Sequence, residues 1–177
     1  MPPPVETTLP QLQLIPAALE QAPVLANLLE LYAHDFSEFR NLEIGEDGRF
    51  GYPPLSLYWS EPDRHPFLVR LDGKLAGLVL VFRHSAAWDM TEFFILRGCR
   101  RRRIGTQVAH EVWRRFPGPW EVRVLEANIP AQKFWAGAIS KFTGQAIRAA
   151  RIEKAGAFWT HFSFESKAGA KPSAPAH

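Results

Sequence analysis

Apolar residues follow two periods along this chain, and each period predicts a different element. Residues 11–15 alternate between polar and apolar side chains, which predicts a short strand. From Glu20 to Tyr32 the apolar residues lie three and four positions apart, which predicts an amphipathic helix. Residues 34–39 mix aromatic and acidic side chains, so they either begin a second, short helix whose side chains line a pocket or form an ordinary helix end with two buried phenylalanines, which is the favoured interpretation.

The middle of the chain predicts three antiparallel strands in succession. Residues 67–71 and 74–82 flank an Asp-Gly pair, which is favoured where a tight turn needs positive φ, so they predict a hairpin. Residues 84–87 predict the next turn, and a third strand ends at Leu96. Strands joined by such short turns are expected to be neighbours in one sheet.

A helix and another strand are predicted next. The helix carries an apolar residue at every fourth position: Ile104, Val108 and Val112. The Phe-Pro-Gly-Pro sequence at residues 116–119 ends this helix. Residues 120–124 alternate again and predict a strand.

The last part of the chain predicts a helix and two strands. Pro130 suits the first turn of a helix that Gly144 closes. The order strand, helix, strand makes a crossover, so the strands on either side of the 104–115 helix are expected to be parallel and right-handed. Residues 147–152 and 157–164 predict the final two strands.

Composition indicates one domain in a reducing compartment. The 177 residues are 46% hydrophobic, enough for one core. We expect a flexible segment at 1–9, a domain at 10–166 and a disordered tail at 167–177. We expect no signal peptide, since residues 1–6 have neither a basic region nor an apolar core, and the sequence has no apolar run of ~18 to 20 residues. The single cysteine, Cys99, forms no internal disulfide. A cytoplasmic protein is therefore expected, without a metal site, since no His/Cys cluster has ligand spacing.

A run of arginines lies between the third strand and the following helix. Residues 100–103 are all arginine, and Gly105 follows in the first turn. A helix N-terminus has unpaired backbone N–H groups and partial positive charge, so this junction is suited to phosphate or pyrophosphate. A solvated surface is the alternative interpretation. Nucleic-acid binding ranks last, because the net charge is only +3 and the nearby aromatic residues are not interleaved for base stacking.

Two spaced motifs carry a resemblance to a known family. The first is Arg100-x-x-Arg103-x-Gly105, and the second is Asn128-x-x-Ala131-x-x-Phe134-Trp135. Together they resemble the GNAT superfamily of acyl-CoA-dependent N-acetyltransferases, over residues 11–165. The resemblance implies an α/β (α+β) fold with a single mixed, mostly antiparallel sheet of six to seven strands. Helices would cover both faces, and strands four and five would be parallel and splayed.

The resemblance also implies a binding site for acetyl-CoA as co-substrate. Backbone groups of the fourth strand would bind the pantetheine arm: Phe94, Ile95 and Leu96. The following turn would hold the pyrophosphate: Arg101, Arg102, Arg103, Ile104, Gly105 and Thr106. Two residues would contact the far side of the cofactor: Asn128 and Phe134. A backbone N–H of Phe94 or Ile95 would polarise the thioester carbonyl.

Two positions depart from the family pattern. Arg103 stands where members most often have a glycine, so its backbone is restricted to conformations open to other residues. Trp135 stands where many members have a tyrosine that acts as general acid. An indole N–H is not a useful acid, so that role is lost or moved.

Glu92 is the predicted general base for the amine. A glutamate at this place in the family acts directly or through water. Burial among Trp88, Phe93 and Phe94 would raise its pKa. The alternative is that Glu92 is an exposed strand residue or pairs with an arginine.

The leading hypothesis is an N-acetyltransferase that uses direct attack of a primary amine in a ternary complex. The acceptor would be a small molecule or a peptide, and no membrane partner is expected. The protein would be a monomer or a homodimer. The alternative is a non-catalytic acyl-CoA-binding sensor or partner-binding module, in which Trp135 marks the loss of the acid.

Overall fold

A computed structural model describes residues 10–100 and 103–167, and a single seven-stranded sheet organises this part of the chain. The strands are β1 (Leu12–Pro16), β2 (Arg64–Leu71), β3 (Lys74–His84), β4 (Ala87–Ile95), β5 (Gly118–Leu125), β6 (Ala149–Lys154) and β7 (Ala157–Ser166). The helices are α1 (Ala22–Phe36), α2 (Leu57–Ser60), α3 (Ile104–Arg115) and α4 (Ile129–Thr143). The strand order is β1-β2-β3-β4-β5-β7-β6.

The parallel pair β4–β5 is the exception in an otherwise antiparallel sheet. The two strands pair at Trp88 with Trp120 and at Asp89 with Glu121. β4 continues to Ile95 and β5 continues to Leu125, but the two strands do not pair with each other beyond these positions. The strands therefore diverge and leave a wedge-shaped gap at their carboxyl ends, which confirms the predicted splayed pair.

Helices cover both faces of the sheet, as predicted. Alternate residues of β3 point to opposite faces, so Val79 and Val81 pack toward α3 and α4 whereas Leu78 and Leu80 pack toward α1 and α2. All four side chains are fully buried. The mixed sheet between two helical layers agrees with the expected fold class.

A β-bulge in β4 decides which side chains reach the gap. Val81 pairs with Met90 and Leu80 with Glu92, so Thr91 is the extra residue. In a regular strand Met90 and Glu92 would lie on the same face. Because of the bulge, Met90 packs toward α3 and α4 whereas Glu92 turns toward α1.

The end of α1 lies beyond its predicted position. α1 continues past Tyr32 to Phe36, whose ring stacks on Tyr32 at 5.8 Å, so residues 34–36 form a helix end and no second helix forms at 34–39. Residues 37–52 are instead a connection without helix or strand. The predicted flexible segment 1–9 and residues 168–177 of the predicted tail 167–177 lie outside the described residues, so their flexibility stays a prediction. No helix in the described part of the chain is long and apolar enough to cross a membrane.

Candidate active site at the gap between β4 and β5

A cavity of about 400 Å³ opens where β4 and β5 diverge. Its polar lining includes residues from α1, the 37–52 connection, β4, β5 and the start of α4: Tyr32, Arg40, Tyr52, Glu92, Arg123 and Asn128. A larger groove of about 560 Å³ lies between β1 and α3, but none of the predicted site residues lines it. The cavity at the gap is therefore the candidate site.

Glu92 on β4 contributes a carboxyl group to the lining of this cavity. The Tyr52 hydroxyl donates a hydrogen bond to Glu92 Oε1 at 3.0 Å. Burial raises the pKa of Glu92 to about 7, while hydrogen bonds from Tyr32 and Tyr52 oppose that rise. A group with this pKa exchanges protons near neutral pH, which is what a general base requires.

The surroundings of Glu92 differ from the prediction. Phe93 and Trp88 pack on the opposite face of the sheet, with α3 and α4. The residues that bury Glu92 are the tyrosines of α1 and of the 37–52 connection. Burial raises the pKa of both Tyr32 and Tyr52, so both hydroxyls stay protonated and act as donors.

An ion pair joins β4 to β5 where the strands begin to diverge. Arg123 on β5 donates to the carboxylate of Asp89 on β4. Asp89 is 5% exposed, and burial raises its pKa although the Arg123 charge acts in the opposite direction. The pair fixes the vertex of the gap. Sequence analysis missed it, because no local pattern links positions so far apart in the chain.

The N-terminus of α3 packs against β4 and α4, where Gly105 lies close to Phe93 and Phe134, and none of residues 103–106 lines the cavity. Arg103 is the N-cap residue and has φ 60° and ψ 9°, the left-handed conformation. It therefore adopts the conformation that glycine takes freely at this family position, at a cost of about 1 to 2 kcal/mol. The first-turn amides of Ile104, Gly105 and Thr106 have no partner within the helix. Ile104 is 1% exposed and belongs to the core, whereas Gly105 and Thr106 are half-buried.

The rest of the basic turn is partly committed to other contacts. Arg100 donates to the Ile95 carbonyl at 2.8 Å and to Asp35 on α1 at 2.7 Å. Arg97 also bonds Asp35, at 2.8 Å. Burial alone would raise the pKa of Asp35, but the two guanidinium groups outweigh it and lower this pKa. Arg101 and Arg102, predicted to hold pyrophosphate, lie outside the described residues.

The second motif packs against the first. A Cβ added to Gly105 would lie 3.1 Å from the Phe134 ring, so glycine permits this close approach. Phe134 stacks on Phe93 with 5.8 Å between ring centroids. Trp135 is 7% exposed and contacts both rings edge-on at 4.9 Å. Its indole is therefore part of the core beside the cavity.

Asn128 has a structural contact as well as its predicted role. Its side-chain oxygen accepts a hydrogen bond from the Ala131 amide at 3.1 Å and so caps α4. Because Asn128 also lines the cavity, α4 begins beside it.

The end of β4 presents one of its predicted backbone donors to the gap. The Leu96 amide donates to the Ala76 carbonyl at 2.8 Å, toward β3. Since backbone groups alternate along a strand, those of Phe94 also point to β3 and those of Ile95 point to the gap. Ile95 rather than Phe94 is therefore placed to donate to a bound carbonyl.

Comparison with protein families decides the assignment. The model of the acetyltransferase (GNAT) family matches residues 25–137, which include both motifs and the gap. The chain belongs to the GNAT acetyltransferase family. Acyltransferase activity is the activity of that family, and the two motifs lie here at the N-termini of α3 and α4, of which the α4 N-terminus lines the cavity.

Solved GNAT structures share the fold. An acetyltransferase from Thermus thermophilus has a TM-score of 0.65 and 17% identity, covering 87% of this chain and 96% of that one. The GNAT domain of S. lividans PAT has a TM-score of 0.61 and 14% identity, covering 86% of this chain and 89% of that one. Spermidine N-acetyltransferase from Vibrio cholerae was solved with CoA and spermine. It has a TM-score of 0.60 and 11% identity, covering 88% of this chain and 96% of that one. No curated protein matches the chain as a relative.

Proposed function

We propose that this GNAT protein transfers the acetyl group of acetyl-CoA to a primary amine by direct attack in a ternary complex. The observation that carries the proposal is Glu92, a carboxyl group with a pKa of about 7 in a cavity between splayed strands. A base with this pKa is suited to remove a proton from an amine at neutral pH.

The residues at the gap fit an acyl-CoA thioester. Beyond Asp89 the edge of β4 is unpaired toward β5, which leaves backbone groups for the pantetheine arm. The α3 amides from Ile104 to Thr106 and the arginines from Arg101 to Arg103 would hold the pyrophosphate. Asn128 and Phe134, at the start of α4, would contact the other side.

The proposed step needs no covalent enzyme intermediate. Glu92 accepts a proton from the amine, whose nitrogen forms a bond to the acetyl carbonyl carbon. The Ile95 amide stabilises the oxyanion, and the carbon–sulfur bond then breaks. Water protonates the departing thiolate, since the buried Trp135 offers no acidic proton. Cys99, in the turn after β4, takes no part.

The charges in the cavity bear on the acceptor. Spermidine N-acetyltransferases are among the proteins of similar fold. Here Arg40 and Arg123 line the same cavity as Glu92, and Arg40 has no ion pair among the described residues. The same lining also contains the carboxyl groups of Glu43 and Glu92, and Arg123 is paired with Asp89. Groups of both signs therefore face the acceptor, so the amine panel should place neutral and zwitterionic amines beside polyamines.

A non-catalytic acyl-CoA-binding module is the second candidate. The observation that favours it is Trp135, which occupies the position of the family's acid and is packed into the aromatic core. Binding of acetyl-CoA without release of free thiol across the amine panel would support this candidate over the transferase.

Calorimetric titration with acetyl-CoA tests the proposal. We expect micromolar binding that is lost in Arg103→Glu, because a carboxylate at the α3 N-cap repels pyrophosphate. The matched control is Arg83→Glu, a charge reversal on β3. Arg83 pairs with Trp88, at the end of the β3–β4 pair away from Ile95, so this variant should bind acetyl-CoA as the wild type does. No binding by the wild type, or equal loss in both variants, would contradict the proposal.

A further inference from the structure

One carboxylate fastens the 37–52 connection to α1. Glu30 accepts hydrogen bonds from the Phe50 amide through Oε2 and from the Gly51 amide through Oε1, each at 2.8 Å. Two consecutive amides directed at one anion form a nest, which needs a left-handed residue, and Gly51 has φ 70°. A bond in which one partner is charged is roughly twice as strong as a neutral one.

This attachment supplies the hydrogen bonds that join the segment before Tyr52 to α1. Among the described residues, the other hydrogen bonds of residues 40–51 stay within that segment. They join Gly45 to Arg49, Gly48 to Gly45 and Arg49 to Asp47. These bonds shape the loop but do not attach it to α1 or to the sheet.

The attached residues lead directly to the candidate base. Tyr52 follows Gly51, and its hydroxyl donates to Glu92 Oε1 at 3.0 Å. Phe50, Gly51 and Tyr52 all line the cavity that contains Glu92. A shift of the Gly51 backbone therefore moves the Tyr52 hydroxyl away from the Glu92 carboxylate.

We propose that Glu30 is a positioning residue for this site, because its carboxylate fixes the Phe50–Gly51 backbone and so holds the Tyr52 hydroxyl on Glu92. The catalytic meaning of this contact rests on the proposed function, in which Glu92 is the base. The contact itself exists whether or not the protein transfers acetyl groups. Glu30 touches neither acceptor nor cofactor in this scheme and acts through Tyr52.

The test compares Glu30→Gln, Tyr52→Phe and the double variant. Protein with ¹³C-labelled glutamate carboxyl groups is titrated by NMR, and Glu92→Gln assigns the Glu92 signal. The Tyr52 hydrogen bond stabilises the charged carboxylate, so Tyr52→Phe should raise the Glu92 pKa by about one unit. Glu30→Gln should shift it in the same direction. The double variant should shift no further than Tyr52→Phe alone, since both changes break the same bond.

Two further variants keep the test decisive. Glu20→Gln removes an exposed carboxylate outside the site and should leave the Glu92 titration unchanged. If Glu30→Gln does not fold, Gly51→Ala keeps both charges but strains the left-handed residue, and it should shift the Glu92 pKa upward by a smaller amount.

The outcomes separate this proposal from the proposed function. A Glu30→Gln protein that melts earlier but titrates Glu92 as the wild type does would show a merely structural role and overturn the proposal. Shifts that add fully in the double variant would also overturn it, because Glu30 would then act independently of Tyr52. If the wild type neither binds acetyl-CoA nor acetylates any amine, the proposed function fails while the NMR titration still decides the role of Glu30.

Discussion

The proposed acetyl-CoA site has two walls, and they are built by different means. The α3 wall, residues 103–106 with Phe134, offers backbone amides at a helix N-terminus. The α1 wall, formed by Tyr32, Tyr52 and Glu92, offers side chains that hydrogen-bond one another. The α3 wall, which uses backbone groups, suits a ligand that many proteins share. The α1 wall, which uses side chains, can differ from one protein to the next without changing the fold.

This difference explains which parts of the site can be predicted from the sequence. Backbone binding needs a few residues at fixed spacing, such as Arg103-x-Gly105, and such spacing forms a motif. Side-chain contacts join distant segments, as Glu30 to Gly51 and Tyr52 to Glu92, and leave no local pattern. Residues on the α1 wall were therefore missed or assigned other roles, apart from Glu92.

The largest expected effect on stability lies on the α1 wall. The Glu92 pKa is about 7 in the folded protein against an ordinary 4.5, so the folded state binds more protons than the unfolded state between these values. This extra proton binding stabilises the folded state fully below pH 4.5, and the stabilisation is lost as the pH rises through 7. The free energy of unfolding of the wild type, relative to Glu92→Gln, should fall by about 3 kcal/mol from pH 4 to pH 8.

Urea unfolding at several pH values measures this difference. Glu20→Gln, at an exposed position, is the matched control and should track the wild type at every pH. A constant difference between wild type and Glu92→Gln would contradict the raised pKa and with it the picture of a buried, poised carboxyl group.

A smaller effect is expected where the two walls meet. Arg123→Met leaves the buried Asp89 carboxylate without its partner and should cost about 2 to 3 kcal/mol at pH 7. The cost should shrink at low pH, because Asp89 can then take up a proton. In contrast, Arg151→Met at the exposed Glu126 pair should change stability little. Equal losses in the two variants would show that the Asp89–Arg123 pair has no special place in the fold.

The smallest expected effect lies on the α3 wall. Arg103→Gly removes the left-handed strain of about 1 kcal/mol, partly offset by the greater freedom of glycine in the unfolded chain. The melting temperature should therefore rise slightly or stay the same. If backbone amides supply most of the binding, the affinity for acetyl-CoA should fall less than about tenfold in a calorimetric titration. A larger fall would assign the binding to the arginine side chain and weaken the distinction between the walls.

Most of the fold followed from periodicity and turn residues. The hairpin at Asp72-Gly73 forms with positive φ at both positions, and Gly144 ends α4 in the left-handed conformation, as predicted. The splayed β4–β5 pair followed from the resemblance. These features depend on short-range rules or on a family pattern, which a single sequence carries.

The bulge at Thr91 and the length of α1 did not follow. One extra residue in an aromatic and β-branched run does not alter its composition, yet it turns Glu92 to the α1 face. Phe36 extends α1 because its ring stacks on Tyr32, a contact that exists only once the helix has formed. Such features arise from tertiary packing, so periodicity alone does not predict them.

The pH dependence of kcat/KM for acetyl transfer, measured for wild type and Glu92→Gln, tests the central claim most directly. The wild-type rate should rise with pH and level off above a pKa of about 7. Glu92→Gln should lose about 10²-fold or more in rate together with this limb, while its affinity for acetyl-CoA stays unchanged. A wild-type profile that follows only the ionisation of the free amine, and that Glu92→Gln reproduces, would contradict the account.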